Sequence, residues 1–595
     1  MLVGCVALAT SCDLTENVQV KADKSMIFGS KSGLELYSNS FYKALPTLKN
    51  GFMQDKMCDV GAVSNTDTFI KQGAYNTETA TSWSWGALKN INYFIDGCND
   101  PKYCTVDDNT RDNYLGIARW FRAWFYYDKL TTYGEVPWFP HDIQSYQNDV
   151  MYKDRDSRDV IIRNLIADLD FAYEHIQATS STGSSTLTRW AAAALKSRVC
   201  LFEAAYRRYH NLTGLEITPE ELYREAAKAA KLVIDNSGCS LNTATGKKGA
   251  YRDLFYNETP LTQEVILAVC ANEKSGIFGE QNWWFNARSY GLCWSLVRSF
   301  VHTYLKLDGT PFTDAADYAV KSFTEEMEGR DLRLEQTVRG RNFLWDGKTA
   351  VADIKNLSLT GYQVIKYTLD ESKYDGGAKN INSIPLIRYA EVLLNYAEAQ
   401  AELGVITDSE WALTVGALRK RAGITGGTET LPTTVDGYLQ RTFYPDVTSP
   451  VLLEIRRERA IELVAEGMRF DDLRRWKCGS LMETLPWSGI HIPGLEQPVD
   501  VNGDGVDDYY FTEGEVTAAP AAYRNIAIRV NQDGVGLYAE ANAVAGYDLV
   551  YKTGAGDRYW YPDGRQYLYP IPAKVIRDYK NAGYTISQNP YWDNE

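Results

Sequence analysis

Histidine is scarce: five in 595 residues, too few for the multi-histidine metal or acid–base centres that many enzymes use. The ten cysteines include no CxxC pair, which argues against a zinc site of the finger or ribbon kind. No stretch reaches the ~18 to 20 uninterrupted apolar residues that carry a helix across a bilayer. No run of Lys or Arg offsets a net charge of −15, so phosphate backbones and anionic head groups are repelled and no nucleic-acid partner is expected. What remains is a chain with 45% apolar and 23% charged residues, the balance of a folded protein with an ample core, in one large domain or several. It is rich in flat amphipathic rings, with 40 Tyr and 15 Trp, the residue types of carbohydrate and peptide surfaces.

At the N-terminus a short apolar run, Leu2 to Ala9, precedes the small residues Ala9-Thr10-Ser11 and then Cys12. The pattern predicts that residues 1–12 are a lipoprotein signal segment and that Cys12 becomes the lipidated first residue, tethering the protein to a membrane. A plain N-terminal tail with an incidental cysteine is the competing reading. Cys98 and Cys104 are close enough in sequence to be a disulfide candidate, against two buried free thiols.

Helical spacing dominates two parts of the chain. Leu115, Ala118, Phe121, Arg122, Phe125 and Leu130 recur near the 3.6-residue period, and Gly134 and Pro137 stop the pattern. Similar patterns run over 158–176, 188–209 and 219–236, the last opened by Thr218-Pro219 with Glu220 and Glu221 behind. Two adjacent hairpins of this size resemble tetratricopeptide-type units. Val265–Val269 reads as a strand, and helices are expected again over 385–403, 409–422 and 449–476, with loops rich in Tyr and Pro after Gly479.

Several blocks in order carry a specific resemblance. They are Cys12-Asp13-Leu14, the helix Ala118-Arg119-Trp120-Phe121-Arg122-Ala123 leading to Tyr133-Gly134-Glu135-Val136-Pro137, the helix from Ile387 to Ala399, the Arg/Glu series Arg456 to Leu463 continued by Glu466 to Trp476, and the endings Leu568-Tyr569-Pro570-Ile571-Pro572 and Gln588-Asn589-Pro590. Together they resemble the SusD/RagB family of nutrient-binding outer-membrane lipoproteins. The resemblance implies a mainly α fold, a tetratricopeptide-like helical scaffold with a loop-rich, partly β ligand-binding face. It implies one domain over 13–595, with the scaffold at approximately 107–237 and 385–477, ligand-face loops at approximately 59–85 and 251–369, and a loop-rich part at 479–595. It also implies no catalysis, no required cofactor, and partnership with a SusC-like TonB-dependent outer-membrane transporter.

The site candidates follow. Trp283, Trp284, Asn286, Arg288, Tyr290 and Trp294 lie in a segment expected to be non-helical, where indole faces can stack on pyranose rings and polar groups reach hydroxyls. The resemblance adds a second loop, here Asp59 through Trp85, offering Asn65, Asp67, Trp83 and Trp85, and Trp345 is a third possibility. Glu458, Glu462 and Glu466 form an i,i+4 row that a catalytic reading would exploit. An ion-pair network with Arg459, Arg469 or Arg475 is the expected outcome, and Glu391, Asn395, Glu398 and Glu402 read as a solvated or helix-packing stripe. Asp500, Asn502, Asp504 and Asp508 with Gly505 resemble most of a calcium loop, but Phe511 stands where the bidentate Glu belongs, leaving Glu513 or a distant carboxylate to substitute. Calcium, if bound, would be structural. The expected function is capture of oligosaccharide at the cell surface; the alternatives are a peptide-binding relative, a secreted glycoside hydrolase and a tetratricopeptide adaptor.

Overall fold

The computed structural model of the chain describes residues 24–49, 55–286, 293–552 and 556–593. The expected lipidation site at Cys12 therefore lies outside the described residues. Helix α1 (Gly86–Asn99) leads into α2 (Asp108–Tyr133). Asp107 caps α2 by accepting the Thr110 N–H at 3.0 Å, and Gly134 ends it at φ 73°, where a side chain would be strained. Ser157 caps α3 (Arg158–His175) and Thr188 caps α4 (Arg189–Tyr209). Thr218 and Glu221 form a reciprocal capping box on α5 (Pro219–Asn236), whose first residue is Pro219. The scaffold continues with α6 (Tyr389–Glu402), α7 (Pro450–Glu462) and α8 (Arg469–Arg475), and α9 (Ala573–Asn581) follows near the C-terminus.

Each helix from α1 to α6 packs against the next in this series, and α8 packs back on α4. That is how a helical-repeat scaffold buries faces no single hairpin could cover, and it bears out the tetratricopeptide-like architecture. Ala191–Ala194 and Ala226, Ala227, Ala229 and Ala230 are all buried, which lets α4 and α5 approach closely.

Three element boundaries differ from expectation. Ile384–Arg388 is a strand paired antiparallel with Val265–Val269, and only Tyr389 begins the helix; the apolar run could not tell the two apart. The helix expected over 409–422 is two, broken at Thr414, whose hydroxyl donates to the Glu410 carbonyl at 2.6 Å. The long helix expected over 449–476 divides into α7 and α8 around Ala465 (φ 63°) and Gly467 (φ 81°). The remaining β structure is small. Gly61–Ala62 pairs with Ser295–Leu296, a hairpin joins Leu344–Trp345 to Lys348–Thr349, and two three-stranded sheets occupy the C-terminal part. One contiguous cluster of buried apolar residues runs from Phe28 to Trp592.

Charge is buried alongside it. Arg122 grips Asp168 with two 2.7 Å bonds between α2 and α3, and Arg198 holds Glu391 with two of 2.6 Å between α4 and α6. The carboxylate row is an ion-pair network, but its cations come from elsewhere. Glu458 bonds Arg333 (2.5 Å) and Arg419 (3.2 Å), Glu462 bonds Arg333, Arg388 and Arg421, and Glu466 bonds Arg388 and Lys366, each at 2.7 Å. The expected partners are engaged on other faces: Arg459 with Asp472, Arg475 with Asp472 and Glu398, Arg469 with Asp59. Burial works against ionisation of Glu462, yet the Arg421, Arg388 and Arg333 guanidinium groups hold it well below the usual carboxylate range. The stripe on α6 is helix-packing rather than solvated: Glu391, Asn395 and Glu398 are buried, and Glu402 bonds Arg208 at 2.7 Å. Cys98 and Cys104 carry free thiols, so the disulfide is not formed.

Candidate functional site

The loop entering α1 places Trp83 and Trp85, both half-buried, against a nest of other rings. Trp83 meets Trp85 edge-on at 5.3 Å and Tyr133 at 4.9 Å, and Trp85 meets Phe125 at 5.6 Å and Phe139 at 5.2 Å. The Ser82 and Tyr133 hydroxyls, 2.7 Å apart, fasten the loop to the end of α2. In front of these indoles opens a cleft of about 830 Å³, walled by Trp83, Trp85, Phe139, Tyr152, Val575 and Tyr579. That volume falls in the range of small-molecule sites.

Three separate segments build it. Asn92 on α1 donates to the Phe139 and His141 carbonyls (2.7 and 3.1 Å), and Tyr126 on α2 accepts the Phe139 N–H at 2.7 Å, so the loop after α2 is held in place. Tyr152 stands edge-on to Tyr579 of α9 at 5.1 Å. The rim is charged and paired, Arg577 with Glu78 and Lys574 with Asp578, both at 2.6 Å. An aromatic floor with a polar rim suits a flat amphipathic ligand: C–H faces stack on rings while hydroxyls find partners at the edge. Tyr152, Val575 and Tyr579 were not anticipated; the recurrence of Val575, Ile576 and Tyr579 on one face of α9 was the available signal.

The other expected residues go elsewhere. Trp283 and Trp284 sit on a short helix, Gln281–Asn286, not in a loop, half-buried and edge-on to one another at 4.9 Å. Asn286 is committed, donating to Asp375 and accepting from Gln363, each at 3.1 Å. Trp294 is 3% exposed, its indole lying where a Cβ on Gly61 would come within 2.5 Å, so it is sealed from ligand. Arg288 and Tyr290 lie outside the described residues. The pairing of Gly61–Ala62 with Ser295–Leu296 does join the two expected loop regions, and Asn65 is exposed a few residues beyond it. Asp67 instead caps a 3₁₀ turn through the Phe69 N–H (3.0 Å) and pairs with Lys56 at 2.6 Å. Trp345 is half-buried on its hairpin, with the Arg339 guanidinium 5.2 Å from the ring. None of these lines the Trp83/Trp85 cleft.

In the 500–508 loop the oxygens serve its own backbone. Asp500 accepts from Gly503 (2.7 Å) and Gly505 (2.8 Å), Asp504 from Val506 (2.9 Å), and Asp508 from Val501 (2.8 Å). Burial, then the neighbouring Asp500 and Asp504 charges, push the Asp508 carboxyl up, with the N–H of Val501 opposing. Among the described residues no group of three or more His, Cys, Asp or Glu side chains is placed to hold a metal ion.

A helical-repeat scaffold of packed antiparallel pairs places the chain in the class of tetratricopeptide-like helical proteins. Within that class, the chain belongs to the SusD family, whose profile matches residues 263–592. It is similar to SusD-like protein P38 of Formosa agariphila, 25% identical over a 380-residue alignment that covers 61% of this chain and 66% of that protein, just under two thirds of its length. A solved SusD-like protein of Bacteroides fragilis superposes with TM-score 0.64 at 20% identity, covering 96% of this chain and 98% of the other. A SusD-like carbohydrate-binding protein of the same species gives 0.67 at 19%, covering 94% and 99%. At these identities the likeness establishes the fold. The SusD family is non-enzymatic. Among the described residues no helix is long and apolar enough to cross a membrane.

Proposed function

We propose that this protein is a cell-surface lipoprotein, anchored through Cys12, that captures oligosaccharide on the Trp83/Trp85 cleft and passes it to a SusC-like TonB-dependent transporter. The observation that carries the reading is the pair of half-buried indoles backed by Tyr133, Phe125 and Phe139 and facing a cleft of sugar-binding size. Stacking on rings already fixed by their neighbours costs little ordering entropy, and hydroxyl hydrogen bonds exchange with water almost evenly, so affinity is expected to be modest. Calcium at the 500–508 loop would require Asp500 to release the Gly503 and Gly505 N–H groups, and its role would be to stiffen that loop.

The test is calorimetric titration of the chain against a panel of oligosaccharides and peptides. Trp83→Ala with Trp85→Ala is expected to weaken any glycan bound here by roughly tenfold or more, given the ~1 to 3 kcal/mol typical of a lost aromatic stack. Undiminished affinity in a folded double variant would remove the cleft from the reading, and binding of peptides alone would replace glycan as the ligand.

A further inference from the structure

A second cleft, sharing no residue with the first, opens among the loops after α5. It has a volume of about 480 Å³ and is lined by Lys248, Arg252, Tyr256, Glu335, Asn342 and Phe343 among others. Its back wall is fixed. Arg252 donates twice to Asp370 (2.6 and 2.9 Å), to the Ile365 carbonyl (3.1 Å) and to the Thr368 carbonyl (2.8 Å). Gln336 accepts the Tyr251 and Arg252 N–H groups, both at 3.1 Å, and donates to the Leu332 and Lys247 carbonyls. The Arg252 guanidinium lies 5.3 Å from the Tyr256 ring centre and 5.7 Å from that of Phe343, so a flat cationic plane and two rings form one rigid surface.

The mouth differs. Among the described residues the Glu335 carboxylate has one ion-pair neighbour, Arg341 at 4.0 Å, beyond hydrogen-bond reach. Among the described residues the Lys248 and Asn342 side chains make no hydrogen bond or ion pair, and both are exposed. A carboxylate can accept from two neighbouring hydroxyls, an amide both gives and accepts, and an ammonium donates: that set reads polyols. Charge points the same way. Asp370 neutralises Arg252, and the lining carries the carboxylates of Glu335 and Asp253 against the single further cation Lys248, a balance that disfavours an anionic ligand.

We propose that this cleft is a second carbohydrate site, independent of the Trp83/Trp85 cleft, that takes neutral oligosaccharide through its hydroxyls. A glycan long enough to engage both would be held by two contacts at once, raising its overall affinity without any new contact.

The experiment titrates the full-length chain with neutral hexasaccharides of the cello, xylo, manno and laminari series at millimolar concentration. In the background Trp83→Ala/Trp85→Ala, binding of at least one of them is expected to persist. Adding Glu335→Ala and Asn342→Ala should then weaken it by about tenfold, with unfolding temperature unchanged. Asn342→Trp, which plugs an exposed mouth, should do the same. Residual binding indifferent to these changes, or no binding of any hexasaccharide to the double-tryptophan background, overturns the proposal. If the tryptophan changes leave affinity intact while the Glu335 and Asn342 changes abolish it, the first cleft fails and this one stands.

Discussion

Two buried carboxyl groups in this fold titrate in opposite directions. Burial raises Glu326, but the Arg298 guanidinium, then His302 and the Tyr362 hydroxyl, lower it to about 2 from the ordinary 4.5. Its contribution, on the order of 3 kcal/mol, is present above pH 4.5 and lost as pH falls towards 2. Asp55 is the reverse. Burial pushes it up to about 7 despite the N–H groups of Gly467 (2.9 Å) and Arg469 (3.1 Å). Its folded-state preference for the proton stabilises below the ordinary 3.8 and is lost as pH rises to about 7, a contribution on the order of 4 kcal/mol. Denaturant unfolding across pH is expected to show Asp55→Asn gaining stability relative to the parent between pH 5 and 8, and Glu326→Gln removing part of the acid limb. An Asp55→Asn profile parallel to the parent's would refute the assignment. Truncating Glu462, whose loss would leave Arg333, Arg388 and Arg421 underpaired, is expected to cost about 3 to 5 kcal/mol by the same measurement.

At the level of elements, the short ladder between Gly61–Ala62 and Ser295–Leu296 depends on a missing side chain. A methyl on Gly61 would meet the Trp294 indole at 2.5 Å, and the ring is boxed in by the core. Gly61→Ala is therefore expected to destabilise by about 1 to 3 kcal/mol, with a lower thermal midpoint as the readout. Thr218→Ala, which removes one arm of a capping box, should cost only about 1 kcal/mol. These elements also divide what was legible from what was not. The ends of α2 and α5 could be read because Asp107, Gly134, Thr218 and Pro219 act within one turn of themselves. The strand Ile384–Arg388 could not, since its extended form is decided by a partner more than a hundred residues away. The Trp283–Trp294 segment shows the same limit: ring density is visible in sequence, but whether an indole faces solvent or the space left by a distant glycine is not. Trp83 and Trp85 were legible as candidates, while the walls completing their cleft, Phe139, Tyr152 and Tyr579, come from segments that only folding brings together.

On the scale of the molecule, the helical series supplies rigidity and the irregular segments supply chemistry. No turnover is expected of such an arrangement, and a reducing-sugar assay of the purified chain on any glycan it binds should stay at background; release that disappears with one Asp or Glu change would contradict this. Metal dependence offers a second check. Because the Asp500–Asp508 carboxylates already serve backbone N–H groups, chelator and excess calcium are expected to give thermal midpoints within a degree or so of each other, on the scale where ~1 kcal/mol moves a large domain by 2 to 4 °C. A larger rise with calcium would show the loop rearranging around the ion.

The paired charges inside the protein bear on how it can be handled. Arg198 on α4 meets Glu391 on α6, and Asp59 near the start meets Arg469 on α8. Any attempt to express residues 263–592 by themselves would strand Glu391 and Arg469 without counterions in a greasy interior, so that fragment should emerge as insoluble material rather than as a working half. Laboratories trimming the gene would do well to keep both ends together.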